Sequence, residues 1–143
     1  MRYTLPQPYR ELDHTADVGV EVEGASAEEA VARLVLAMSA LLTGGGPTEV
    51  RRELTVEVGP GPALDRAVDL LRELLYHFDT EQEIAASCEV TRWSDEGAAI
   101  AVGFAPWDPD AHEEGTELKA VTLHEACFEP SAGGFVARIV FNV

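Results

Sequence analysis

What this sequence has little of narrows its function before any motif is read. Basic residues are few: 10 Lys and Arg stand against 26 Asp and Glu, a formal charge of −16, and the only lysine is Lys119. A chain that gripped phosphate backbones by itself would need a basic stripe, and none is visible. The acidity suits solubility, cations or a basic protein partner. Cysteine is nearly absent, with Cys88 and Cys127 as the only 2. They form no Cys-x-x-Cys pair and no Cys/His cluster, which argues against zinc. Each sits in a strand-like run and reads as a small buried hydrophobe. Long apolar runs are missing too. No stretch reaches the roughly eighteen residues of a membrane span. The opening Met1-Arg2-Tyr3-Thr4-Leu5-Pro6 lacks the apolar core of a signal peptide. The expectation is a cytoplasmic protein that does not enter the membrane. Common catalytic signatures are absent as well: there is no Gly-x-x-x-x-Gly-Lys, Gly-x-Gly-x-x-Gly, Gly-x-Ser-x-Gly or His-Glu-x-x-His. A triad of Ser39, His14 and Asp13 can be drawn on paper, but Ser39 falls inside a helix.

What is present reads as one domain, since 143 residues suffice for a single core without disulfides or a structural metal. Residues 1–8 carry two prolines and read as an extended lead-in, leaving 9–143 as the domain proper. A short strand is expected over Tyr9 to Leu12 and another from Asp17 to Glu23, where Val18, Val20 and Val22 alternate with polar positions. Ser26-Ala27-Glu28-Glu29 reads as a capping box, followed by Val31, Leu34, Val35, Met38, Leu41 and Leu42 on one helical face. Gly44-Gly45-Gly46-Pro47 stops that helix.

A strand follows over Arg51 to Val58, with Leu54, Val56 and Val58 directed at the core. Pro62 opens a second helix, whose broad stripe of Leu64, Val68, Leu71, Leu75 and Phe78 predicts that it lies deep on a sheet. His77 near its end reads as structural. Strands are then expected over Ala86 to Trp93, Ala98 to Ala105, Glu117 to Glu129 and Gly134 to Val143. The acidic segment from Trp107 to Gly115 reads as a solvated loop, without the ligand spacing of an EF-hand. Helices among mostly sequential strands predict an α+β fold, with two helices packed on one face of a mixed or antiparallel sheet.

Two stretches concentrate chemistry. Asp13-His14-Thr15-Ala16-Asp17 packs two carboxylates, an imidazole and a hydroxyl at the mouth of a strand. It reads either as a ligand or metal site or as an ordinary capped turn. The second stretch runs Glu117-Leu118-Lys119-Ala120-Val121-Thr122-Leu123-His124-Glu125. Strand alternation puts Lys119 and His124 on opposite faces unless a bulge intervenes.

Together, DHTADVGVEVEGAS and ELKAVTLHE resemble the archease family, in order and spacing, as does the helix LDRAVDLLRELLYHFDTE between them. The similarity runs from about Tyr9 to Val143. It implies an α+β archease fold, a divalent metal site with calcium as the expected cation, and a role as activating partner of an RtcB-type RNA ligase. In that role the protein is not itself an enzyme. It promotes guanylylation and multiple turnover of the ligase in tRNA splicing and RNA repair, and meets RNA only indirectly. The family's metal-binding aspartate falls on Asp17. Its second ligand, a penultimate aspartate, falls on Asn142, and the last residue, Val143, can add its own oxygens. An amide in place of a carboxylate removes a negative charge, so weaker metal binding is expected. Asp13, His14, Lys119 and His124 match other motif positions, and Leu123 stands where the family usually has tyrosine. Two other readings stay open: a chaperone-like interaction module, and a hydrolase using Asp13, His14 and Asp17 on a metal-bound water.

Overall fold

Between Arg33 and Glu49 the chain carries no charged side chain, and most of that stretch forms the centre of the molecule. The computed structural model describes residues 1–13 and 17–143, with Asp13 described through its backbone alone. Among the described residues the elements run β1 (Arg2–Thr4), β2 (Arg10–Asp13), β3 (Asp17–Gly24), α1 (Ala27–Thr43), β4 (Arg52–Val58), α2 (Ala63–Glu81), β5 (Glu83–Ser94), β6 (Gly97–Pro106), β7 (Ala120–Ser131) and β8 (Gly134–Asn142). The α1 helix begins as its sequence dictates. The Ser26 hydroxyl accepts the Glu29 N–H at 3.1 Å, and the Glu29 carboxylate reaches back to accept the Ala25 N–H at 2.9 Å. It ends at Gly44, whose φ of 64° and N–H bond to the Ala40 carbonyl make a left-handed cap.

The strands form two antiparallel sheets rather than one, in the orders β1-β5-β6-β4 and β2-β3-β8-β7. The reason lies in α1. The predicted stripe of Val31, Leu34, Val35, Met38, Leu41 and Leu42 is buried, but so are Ala30, Ala32, Leu36, Ala37, Ser39 and Thr43 around the rest of the helix. A helix apolar on all sides must be covered on all sides, and one sheet covers one flank. Accordingly α1 packs against β5 of the first sheet and against β3 and β8 of the second, while α2 touches β4, β5 and β7. The expected packing of helices on one face of a sheet therefore holds for each of the two sheets. The deeper helix is α1, not α2, which keeps Asp69, Arg72, Glu73 and Tyr76 exposed. The sulfhydryl of Cys88 on β5 donates to the Ala32 carbonyl of α1 at 3.8 Å, and Arg72 of α2 donates to the Val121 carbonyl of β7 at 3.1 and 3.2 Å.

Three local expectations are corrected. Within the proposed lead-in, Arg2–Thr4 forms β1 and pairs with β5, with Tyr3 opposite Cys88. Leu54 is 41% exposed, because β4 is an edge strand that pairs only with β6. The acidic loop is tethered rather than merely solvated. Its carboxylates at Asp108, Asp110, Glu113 and Glu114 are exposed, yet His112 is 2% exposed. The His112 Nδ1 accepts the Asp108 N–H at 2.9 Å, which leaves Nε2 to carry the proton donated to the Pro47 carbonyl at 2.8 Å. The Trp107 indole N–H donates to the Leu42 carbonyl at 2.9 Å, and the Thr116 N–H to that of Leu41 at 2.7 Å. These bonds satisfy carbonyls at the end of α1 that the helix itself leaves open. No helix is long and apolar enough to cross a membrane among the described residues.

Candidate functional site

The second sheet gathers the motif segments at one of its ends. On β3, Val18, Val20 and Val22 are buried in the core, so Asp17 belongs to the opposite face with Gly19, Glu21 and Glu23. The register pairs Asp17 directly with Asn142. Directly opposed antiparallel residues share a face, with Cβ atoms about 4.5–5.5 Å apart. On the other side of β8, Asn142 pairs with Ala120, and the Lys119 N–H donates to the Asn142 main-chain carbonyl at 2.8 Å. Val143 follows and is 43% exposed. Asp17, Lys119, Asn142 and Val143, far apart in sequence, thus share one sheet end. Asp13 pairs through its backbone with Val18, which brings the start of the β2–β3 connection to the same end. His14 and the Asp13 side chain lie outside the described residues.

Among the described residues, the candidate ligands at this end offer oxygen: the Asp17 carboxylate, the Asn142 amide carbonyl and the main-chain carbonyl of Val143. Such donors suit a hard cation such as calcium and not a soft metal. Among the described residues, no group of three or more His, Cys, Asp or Glu side chains is arranged to hold a metal ion. Asp17 is the one acidic side chain among Asp17, Asn142 and Val143, and Asn142 contributes a dipole where a charge would bind more strongly.

His124 is not drawn into this cluster. Between the Thr122–Val140 and Cys127–Arg138 pairs, residues 123–126 stand opposite Ile139 alone. This is the bulge on which the relation of Lys119 to His124 depended. Glu125 adopts φ 54°, and the Thr122 hydroxyl holds the departure by donating to the Val140 carbonyl at 3.0 Å and accepting the His124 N–H at 3.3 Å. The His124 side chain is 71% exposed and lies 4.0 Å from the Glu125 carboxylate. Leu123 is also exposed.

Further along the same face, Glu21 is clasped from both neighbouring strands, by Arg138 at 2.6 Å and Arg10 at 2.7 Å. The Arg138 hydrogen bond, aided by Arg10, holds the Glu21 carboxyl below the ordinary glutamate value. Sequence reasoning missed this cross-strand triad. Its signal was opposite charge at positions the register later paired, Arg10 and Arg138 both facing Glu21. A cleft of about 500 Å³ opens there, beside Tyr9, Arg10, Glu23 and Arg33. It lies toward the other end of β3 from Asp17.

The model of the Archease protein family (MTH1598/TM1083) matches residues 9–143. The protein archease of Methanosarcina mazei is 32% identical over 143 residues, covering 94% of this chain and 95% of the relative. That of Methanopyrus kandleri is 29% identical, covering 95% and 99%. The solution structure of protein 1598 from Methanobacterium thermoautotrophicum superposes with a TM-score of 0.77 at 28% identity, covering 94% and 98%. The crystal structure of a Thermotoga maritima archease, described as a possible chaperone, superposes at 0.60 with 20% identity, covering 99% of each chain. The sheet end built from Asp17, Ala120 and Asn142 is therefore carried by a chain that belongs to the archease family.

Proposed function

We propose that this protein is a metal-binding accessory factor that activates an RtcB-type RNA ligase, promoting its guanylylation and multiple turnover in tRNA splicing and RNA repair. The observation that carries this reading is the register of the second sheet, which sets Asp17 across from Asn142 on one side of β8 while Lys119 bonds Asn142 from the other. Asp17, Asn142 and Val143 would hold a divalent cation, calcium by the hardness of their oxygens. When bound, that cation supplies positive charge and open coordination positions at the protein surface. Asp17 provides the one anionic side chain of the set, and Asn142 orients a neutral oxygen toward the same face. The partner is a basic protein. A surface of −16 steers toward it and repels free RNA, so RNA is met through the ligase. In this role the chain carries no catalytic residue of its own.

The test is a ligation assay with ligase far below RNA in concentration, with and without this protein. Added turnovers are expected, and their absence would sink the proposal. Asp17→Ala should abolish the stimulation while its circular dichroism spectrum stays that of the wild type. Full stimulation by that variant would remove Asp17 from the site.

A chaperone-like interaction module is the second reading, favoured by the description of the Thermotoga maritima relative. It predicts suppression of aggregation for unrelated clients, unchanged in Asp17→Ala.

A further inference from the structure

Where the tethered loop meets the end of α2, a groove of about 340 Å³ opens to solvent. Leu42, Phe78, Trp107 and Leu118 make its apolar lining, and Asp79 and Glu117 stand at its walls. Leu42 and Leu118 are buried, whereas the Phe78 and Trp107 rings are part-exposed and meet edge to face, centroids 5.7 Å apart at 86°. Trp107 is fixed in place. Its main-chain N–H donates to the Gln82 carbonyl at 2.8 Å and its indole N–H to the Leu42 carbonyl at 2.9 Å. The aromatic wall therefore exists before any partner arrives, and no ordering of the ring opposes binding.

The chemistry of this lining selects its occupant. Aromatic faces attract cations through their quadrupole, and the two exposed carboxylates add charge of the same preference. Among the described residues no Lys, Arg or His lines the groove. An acidic or plain apolar occupant would leave Asp79 and Glu117 repelled or desolvated without a partner. A guanidinium answers both features, since it stacks flat on an aromatic ring and pairs carboxylates through its fork. A lysine ammonium is a compact and strongly hydrated point charge.

The groove also adjoins the candidate metal site along the chain. Glu117 and Leu118 run directly into Lys119 and Ala120, which bond and pair with Asn142. Three residues of chain span at most about 10 Å, so a partner that covers Asn142 comes within reach of the groove. Lys119 is the nearest cation along the chain and is exposed outside the lining.

We infer that this groove is the docking pocket for an arginine side chain on a basic segment of the protein that covers the Asp17–Asn142 end of the sheet. The identity of that protein as the ligase rests on the proposed function; the affinity of the groove for arginine does not.

The experiment has two arms. In the first, the full-length protein labelled with ¹⁵N is titrated with acetyl-Gly-Arg-Arg-Leu-Arg-Gly-amide and with the same peptide carrying citrulline for arginine. The Trp107 indole and Leu118 amide resonances are expected to shift saturably with the arginine peptide and not with the citrulline one. Asp79→Asn combined with Glu117→Gln, both exposed positions, should weaken binding by about tenfold or more. Non-saturating shifts spread over the acidic surface would overturn the inference. So would equal affinity in the double variant, or groove shifts that follow protein concentration without peptide and mark a second copy of the chain.

In the second arm, the double variant should need about tenfold more protein for half-maximal stimulation of the ligase at unchanged maximal turnover. Unchanged demand would remove the groove from the ligase interface. If the wild type fails to stimulate any ligase while the peptide result holds, the groove stands and the proposed function falls.

Discussion

Asn142 faces Asp17 across the β3–β8 ladder. Placing an acid there with Asn142→Asp would add a second anionic ligand to the proposed hard-cation site. Calcium binding by calorimetry should tighten by about tenfold or more, on the order of 1.4 kcal/mol. An unchanged affinity would take position 142 out of the ligand set. A second residue-scale consequence concerns acid stability. Glu21, Glu29 and Glu83 are all held below the ordinary glutamate value of 4.5, chiefly by the Arg138 hydrogen bond, the Ala25 N–H and the Arg52 hydrogen bond in turn. A lowered folded value means that their stabilisation is complete above the unfolded value and disappears as pH falls through the folded one. Urea midpoints should therefore drop steeply between about pH 5 and pH 3. In Glu21→Gln, which should cost about 1 kcal/mol at neutral pH, that drop should be shallower. A parallel pH profile for the variant would contradict the assignment. The motif residues themselves were legible one by one, Asp17 and Lys119 included. That Asp17 and Asn142 share a site was implied only by the family resemblance, because local pattern does not give strand register, which is set by non-local pairing.

At the scale of elements, local chemistry predicted most of the chain and failed where tertiary packing decides. Ser26, Gly44 and the Asp95-Glu96 turn of the β5–β6 hairpin act as their residue types require. The β1 strand was missed because three residues carry too little pattern, and Leu54 was placed inside because alternation cannot tell an edge strand from a central one. The acidic loop is a solvated segment at its carboxylates, as its composition reads, and composition does not show that the buried His112 anchors it beside the Trp107 and Thr116 bonds. His112 joins the Asp108 N–H to the Pro47 carbonyl, across 65 residues of sequence. His112→Ala would leave both groups without this partner and should lower stability by about 1–3 kcal/mol in urea titration. Glu113→Ala beside it, exposed and outside that bridge, should shift stability by less than about 0.5 kcal/mol. Equal effects of the two would show that the loop is not anchored at His112.

For the molecule as a whole, both helices contact both sheets, and α1 is the one buried between them. The charge-free run after Arg33 carried this information, since ten apolar or small residues from Leu34 to Thr43 leave no side for water. Neither sheet can leave α1 without exposing its apolar surface, so the two should separate only in a single cooperative event. The molecule carries its own clock for that event. Cys88 is completely shielded, its sulfhydryl bonded across the α1–β5 contact, and burial pushes its thiol up to about 12. Cys127 on β7 is only half-buried. Alkylation under native conditions should therefore be biphasic. Cys127 should be modified first, and Cys88 at a rate matching the slowest amide hydrogen exchange in α1. If Cys88 reacts faster than those amides, the first sheet opens on its own; if the two keep pace, every labelled Cys88 marks one full unfolding of a molecule that cannot loosen by halves.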